Sequence, residues 1–138
     1  MTKWLTPWED LQPPFAAKVL CGLATLAHNN VDVVVPDTGG KRTDARQAEL
    51  FAQGRTAPGD IVTNCDGVKN KSKHQLGLAV DVVPAGANGE PIWPPESDPR
   101  WKVIHDAMVA EGLESGQDWP ALYPGSSADF PHYEAKGV

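Results

Sequence analysis

Ser72-Lys73-His74-Gln75-Leu76-Gly77-Leu78-Ala79-Val80-Asp81-Val82-Val83 is the stretch that decides how this chain is read. From Gly77 to Val83 the residues alternate as a strand, with Leu78, Val80 and Val82 on one face and Ala79, Asp81 and Val83 on the other. A carboxylate in the middle of so apolar a strand costs several kcal/mol unless it is paired or bound to a metal. His74 stands in the loop just before that strand. Imidazole nitrogen and carboxylate oxygen are both good zinc ligands.

A second segment, Asp129-Phe130-Pro131-His132-Tyr133-Glu134, lies far downstream. Alone it is a weak signal, since Asp-x-x-His recurs by chance. Singly, too, His74 reads as a surface loop histidine and Asp81 as a strand carboxylate paired to Arg or Lys. Their joint occurrence points elsewhere: His74, Asp81 and His132 supply three ligands and leave a fourth zinc position for water, as a catalytic site needs. A further carboxylate, Asp129 or Glu134, remains to accept the water's proton.

The pattern Ser-x-His-x-x-Gly-x-Ala-x-Asp, filled at every position from Ser72 to Asp81 and followed by Asp-x-Pro-His at Asp129–His132, resembles the LAS-type zinc peptidases of family M15. These include D-alanyl-D-alanine carboxypeptidases of the VanY type and the L-alanyl-D-glutamate endopeptidases found among phage endolysins. Arg42-Thr43-x-x-x-Gln47 and Leu50-Phe51-x-x-Gly54-Arg55-Thr56-x-Pro58-Gly59-x-x-Val62-Thr63 are similar to the endolysin branch in wording and order. The resemblance runs from about residue 38 to residue 134. It departs between Gly112 and Asp129, where members commonly carry a Trp-Gly-Gly stretch and this chain reads Glu114-Ser115-Gly116-Gln117-Asp118-Trp119.

The resemblance implies a Zn2+ cofactor on His74, Asp81 and His132, Asp129 as the general acid/base, and Arg42 facing the scissile carbonyl to stabilise the oxyanion. Gln47, Ser72 and Trp119 are the candidate substrate contacts, and the substrate it implies is the peptidoglycan stem peptide. The bond expected to be cut is L-alanyl-D-glutamate. Two other readings stay open: a carboxypeptidase trimming a terminal D-alanine, and a zinc-stabilised cell-wall binding module without catalysis. Asp129 favours an enzyme, because a pure binder has no need of a carboxylate three residues before a metal histidine.

Working outward, Pro14 to about His28 predicts a helix with Phe15, Val19, Leu23 and Leu26 at helical spacing. Val31 to Val35 is β-branched and closes at Pro36, which predicts a strand. A helix from about Asp44 to Gln53 follows the glycine-rich turn at Thr38–Thr43, and Ile61-Val62-Thr63 reads as a short extended piece. Thr6-Pro7-Trp8-Glu9 has the form of a capping box. Pro84 to Pro99 is loop-like; Asp98-Pro99 opens a helix carrying Trp101, Ile104, Met108 and Val109, closed by Gly112. The tail from Glu114 onward reads as irregular apart from a short strand near Phe130–Glu134. The expected fold is α+β, a small antiparallel sheet with helices packed on one side and the zinc in a cleft on the other.

The 138 residues suit a single catalytic domain spanning 1–138, long enough to bury a real core. Thirteen glycines and thirteen prolines point to turns and long connections rather than a helix bundle. A net charge of −6, with no basic cluster beyond Lys69–Lys73, gives a nucleic-acid reading little electrostatic support, and no nucleic-acid partner is expected. Two cysteines are too few for a disulfide framework: Cys21 reads as a small buried hydrophobe, and the spacing of Cys65 from His74 demands nothing. His28 reads as a helix cap and His105 as a half-exposed packing residue. Glu134 reads either as a partner to a metal histidine or as a solvated strand carboxylate. Trp101 reads as core, and Trp93 or Trp119 as the better groove residue. The first ten residues are not expected to act as a signal peptide, since acidic residues and Pro7 interrupt any apolar core, and no apolar stretch reads as a membrane span. The expectation is a monomer that accumulates in a host cytoplasm before release to the cell wall.

Overall fold

The computed structural model describes residues 10–36, 39–120 and 128–137. The capping box at Thr6–Glu9, together with Trp4, Trp8 and Thr38, lies outside them. Among the described residues, three helices and five short strands follow in the order α1 (Pro13–His28), β1 (Val33–Val34), α2 (Asp44–Ala52), β2 (Ala79–Asp81), β3 (Val83–Pro84), α3 (Pro99–Val109), β4 (Leu113–Ser115) and β5 (His132–Ala135). A 3-10 turn, Gly116–Asp118, follows β4. The α+β class is the one expected. No described helix is long and apolar enough to cross a membrane.

Helix α1 begins on two prolines, whose fixed φ and missing N–H suit the first turn. Its stripe Phe15, Val19, Leu23 and Leu26 is buried against Ile104 and Met108 of α3 and against Val80, Val82 and Tyr133. Each such side chain contributes roughly 1.5–3 kcal/mol when removed from water. Cys21 is off this stripe and exposed, which corrects the expectation that it would be buried. In α3, capped by Asp98 accepting from the Arg100 N–H, Trp101, Ile104, Ala107 and Met108 are buried. Val109 is exposed rather than part of that stripe.

Two small antiparallel sheets stand where one was expected: β1 pairs with β3, and β2-β5-β4 form the second. The predicted Gly77–Val83 strand is therefore divided at Val82. The Asp81 N–H donates to the Gly39 carbonyl and the Val82 N–H to that of Pro131, just before β5, and from Val83 the chain pairs with β1 instead. The alternation survives this break, with Val80 and Val82 in the core and Asp81 on the opposite face. Val31–Val35 forms a strand only at Val33–Val34. The piece Ile61–Thr63 is not a strand. Strand β4, which reads as irregular tail in the sequence, pairs along β5.

The register of β2 on β5 sets the site. Ala79 faces Glu134, Val80 faces Tyr133, and Asp81 faces His132. Alternate residues share a face, so Val80 and Tyr133 enter the core while Asp81, His132 and Glu134 emerge together on the other side.

Candidate metal centre

His74 reaches that face from a tight turn. The His74 N–H donates to the Ser72 hydroxyl, and the Ser72 N–H donates to the Gln75 side-chain oxygen. Gly77 closes the turn at φ +71°, where a side chain would be strained and a Cβ would lie 2.7 Å from the Asp10 carbonyl. The start of α1 pins the turn from outside, Gln12 donating through its backbone to Gly77 and through its side chain to the Leu76 carbonyl.

His74 Nε2 lies 3.2 Å from His132 Nδ1, and Asp81 Oδ1 lies 3.4 Å from the first and 3.7 Å from the second. The outer nitrogens of both rings are already engaged: His74 Nδ1 sits 2.9 Å from the Gly40 carbonyl and His132 Nε2 sits 2.9 Å from Glu134 Oε1. Carbonyl and carboxylate oxygens only accept, so those nitrogens carry protons, and in the neutral rings the inner ones turn lone pairs toward each other. Two lone pairs and a carboxylate oxygen converging in this way call for a cation between them.

The spacing suits zinc. Bonds of about 2.0–2.1 Å in a tetrahedral arrangement place neighbouring ligand atoms about 3.3–3.5 Å apart, close to the three distances observed. Among the described residues, His74, Asp81 and His132 form the group whose ligand atoms converge in this way. Both histidines are buried and Asp81 nearly so. Burial disfavours the charge on Asp81, but His74, His132 and Arg42 outweigh it and hold its carboxyl below the ordinary range.

Asp129 stands beside the trio, its Oδ2 3.8 Å from His132 Nδ1. Its carboxyl is pushed up, first by burial and then by the charge of Asp81, against the pull of His132, His74 and Arg42. A turn closed by the His132 N–H on the Asp129 carbonyl orients it. Gly116 packs directly beneath. A Cβ there would overlap the Asp129 carbonyl oxygen and come within 3.0 Å of both the Asp129 and His132 Cβ atoms. The segment Glu114–Trp119, where the family resemblance lapses in the sequence, thus packs against Asp129 and His132 through Gly116.

Arg42 brings its guanidinium to the same place, one nitrogen 3.4 Å from Asp81 Oδ2 and the other donating to Gln47 Oε1 at 3.1 Å. The structure gives Gln47 a task different from the substrate contact expected of it. It is fully buried, and its amide nitrogen donates to the Thr63 hydroxyl and the Cys65 carbonyl. With its oxygen on Arg42, its amide is engaged within the protein and positions the guanidinium. Ser72 is buried and shapes the His74 turn. Trp119 lies over His132 with ring centres 4.9 Å apart and donates its indole N–H to Glu114.

The remaining candidates separate from this cluster. Trp101 is core, as expected, and Trp93 is exposed. His105 is held between Asp106 and Asp118 at nitrogen–oxygen distances of 3.0 Å, polar contacts rather than the packing role expected of it. His28 is the last residue of α1, and the cap expected there is Asn29 instead. Glu134, open between two readings in the sequence, is buried against His132; the period-two alternation that pairs it with His132 on one face was the signal for it. Gly116 had no such signal, because its role depends on a tertiary approach.

A family model described as D-alanyl-D-alanine carboxypeptidase matches residues 66–135. The peptidoglycan L-alanyl-D-glutamate endopeptidase CwlK of Bacillus subtilis (strain 168) is 34% identical over 132 residues, covering 91% of this chain and 74% of CwlK. Among solved structures, the L-Ala D-Glu endopeptidase ChiX of Serratia marcescens superposes with a TM-score of 0.63 at 23% identity, over 93% of this chain and 82% of ChiX. The vancomycin-resistance D,D-pentapeptidase VanY from a VanB-type cassette, solved with Zn(II), gives 0.60 at 19% identity over 93% and 74%. These two likenesses show a shared fold.

Proposed function

Because this chain belongs to the M15 peptidase family, we propose that it cuts peptidoglycan stem peptides at the L-alanyl-D-glutamate bond, with zinc on His74, Asp81 and His132. One observation carries the metal reading: three donor atoms converge at 3.2, 3.4 and 3.7 Å with a fourth group, Asp129, beside them and outside the trio. The choice of bond is supported by the likeness to CwlK over nearly the whole chain.

Zinc bound here supplies Lewis-acid polarisation and brings the pKa of a water to around 7. Asp129 takes the proton of the attacking water and delivers it to the leaving amine. Arg42, oriented by Gln47, meets the charge that develops on the carbonyl oxygen. A cut at L-alanyl-D-glutamate frees cross-linked peptide from the glycan, so the activity proposed is lytic, the use expected of a phage enzyme.

Arg42→Lys is expected to lower kcat by about 10²-fold, the low end for loss of one oxyanion donor, with zinc content unchanged. A single ammonium cannot serve Gln47, Asp81 and an oxyanion as a planar fork does. Turnover near the parent value would reduce the arginine to a tie between α2 and β2.

A second reading, removal of a terminal D-alanine, is favoured by the description of the matching family model. A synthetic stem pentapeptide with a blocked amino end separates the two. A new D-glutamate amino terminus, identified by mass spectrometry, is the expected result. Release of free D-alanine alone would move the protein to the carboxypeptidases, and an intact peptide in the presence of zinc would remove the peptidase assignment for this substrate.

A further inference from the structure

The two metal-facing histidines are held from behind by unlike groups. His74 leans on a neutral backbone carbonyl, that of Gly40. His132 leans on a full carboxylate, Glu134 Oε1 at 2.9 Å, and the other oxygen of that carboxylate meets Lys73 Nζ at 3.0 Å. Lys73 is the residue before His74, and Glu134 is the second after His132 on β5. The relay Lys73–Glu134–His132 therefore fastens one ligand segment to the other across the β2–β5 pair. Glu134 also faces Glu114 in the β4–β5 register, a like-charge pairing that costs stability. Glu114 turns instead to the Trp119 indole, which lies over the same His132 ring. A carboxylate kept buried beside another acid, with both oxygens engaged, is more than a surface salt bridge requires.

We propose that Glu134, anchored by Lys73, is a positioning residue that sets the affinity of the site for zinc by fixing the tautomer and orientation of His132. The proposal rests on the zinc reading above. A carboxylate accepting from Nε2–H keeps the Nδ1 lone pair aimed at the trio and makes it a stronger donor than a carbonyl partner would. His132 is thus the ligand whose hold on the metal is tuned, while His74 is held by backbone.

The test is competition for zinc against a chromophoric chelator, run on the parent, Glu134→Gln and Glu134→Ala. Loss of such a partner typically weakens metal affinity about 10–100-fold, and Glu134→Ala should fall in that range. Glu134→Gln, whose amide oxygen still accepts, should lose less. The melting temperatures of the zinc-free proteins should stay close to the parent's, because the relay acts on the metal rather than on the core. A parent that binds zinc alongside variants of unchanged affinity would overturn the proposal and leave Glu134 a plain salt-bridge partner. Weaker binding accompanied by an equal loss of zinc-free stability would overturn it too, as a folding effect. A parent that binds no zinc would overturn the metal reading and this inference with it. Should Glu134→Ala fail to fold, Glu134→Gln decides alone.

Discussion

Asp129→Asn is expected to lower kcat by about 10²–10⁴-fold, the range of a general base, while keeping one zinc per chain. The two expectations come from different features. Asparagine matches aspartate in shape, so the close approach of Gly116 and the turn from the Asp129 carbonyl to the His132 N–H both persist. What disappears is the capacity to take a proton. Asp129 suits that task because burial, and then the neighbouring charge of Asp81, raise its carboxyl; a base with a higher pKa draws the proton more strongly from an attacking water. Asp81 cannot substitute, since the two imidazoles and Arg42 hold its carboxyl low. The measurements are steady-state turnover on the stem peptide and zinc content by metal analysis. Zinc lost together with activity would make Asp129 a ligand and require the roles of Asp81 and Asp129 to be exchanged. Turnover near the parent's would place the base elsewhere.

The features that were legible in the sequence are those whose physics is local. Alternation from Leu78 to Val83 put Asp81 opposite the apolar face, and the register of β2 on β5 keeps it there. Helix α1 follows from its prolines and its stripe, and the Thr43 hydroxyl caps α2 on the Arg46 N–H. Illegible were the effects of distant segments. The division of the Gly77–Val83 strand depends on a distant segment, β1, whose Val34 and Val33 pair with Val83 and Pro84. Cys21 sits in an apolar run but off the buried face, which composition does not report. Gln47 reads as a polar residue available to substrate until its three partners, Arg42, Thr63 and the Cys65 carbonyl, are seen around it. Within the site, the residues that converge at His74, Asp81 and His132 were therefore readable and Glu134 was one of two readings, whereas the tasks of Gly116 and Gln47 were not.

His74→Ala and His132→Ala are each expected to abolish zinc binding, because a trio of ligands has none to spare. The geometry sharpens this. Removing His74 deletes Nε2, which is 3.2 Å from its counterpart and 3.4 Å from Asp81, and also the tie from Nδ1 to the Gly40 carbonyl. Removing His132 deletes Nδ1, which is 3.7 Å from Asp81 Oδ1, and leaves Glu134 with only Lys73 of its two close partners. Either variant retains one imidazole and one carboxylate, too few for a closed tetrahedral hold. Zinc should stabilise the parent by mass action, about 2.7 kcal/mol at a free concentration 100 times Kd, seen as a higher Tm. Neither variant should show that rise. His105→Ala serves as the control: this histidine is engaged by Asp106 and Asp118 away from the trio, so the variant should bind zinc and gain Tm as the parent does. Stoichiometric zinc in His74→Ala or His132→Ala would dismiss the missing histidine as a ligand, and zinc loss in His105→Ala would mean that folding, not ligation, had been measured.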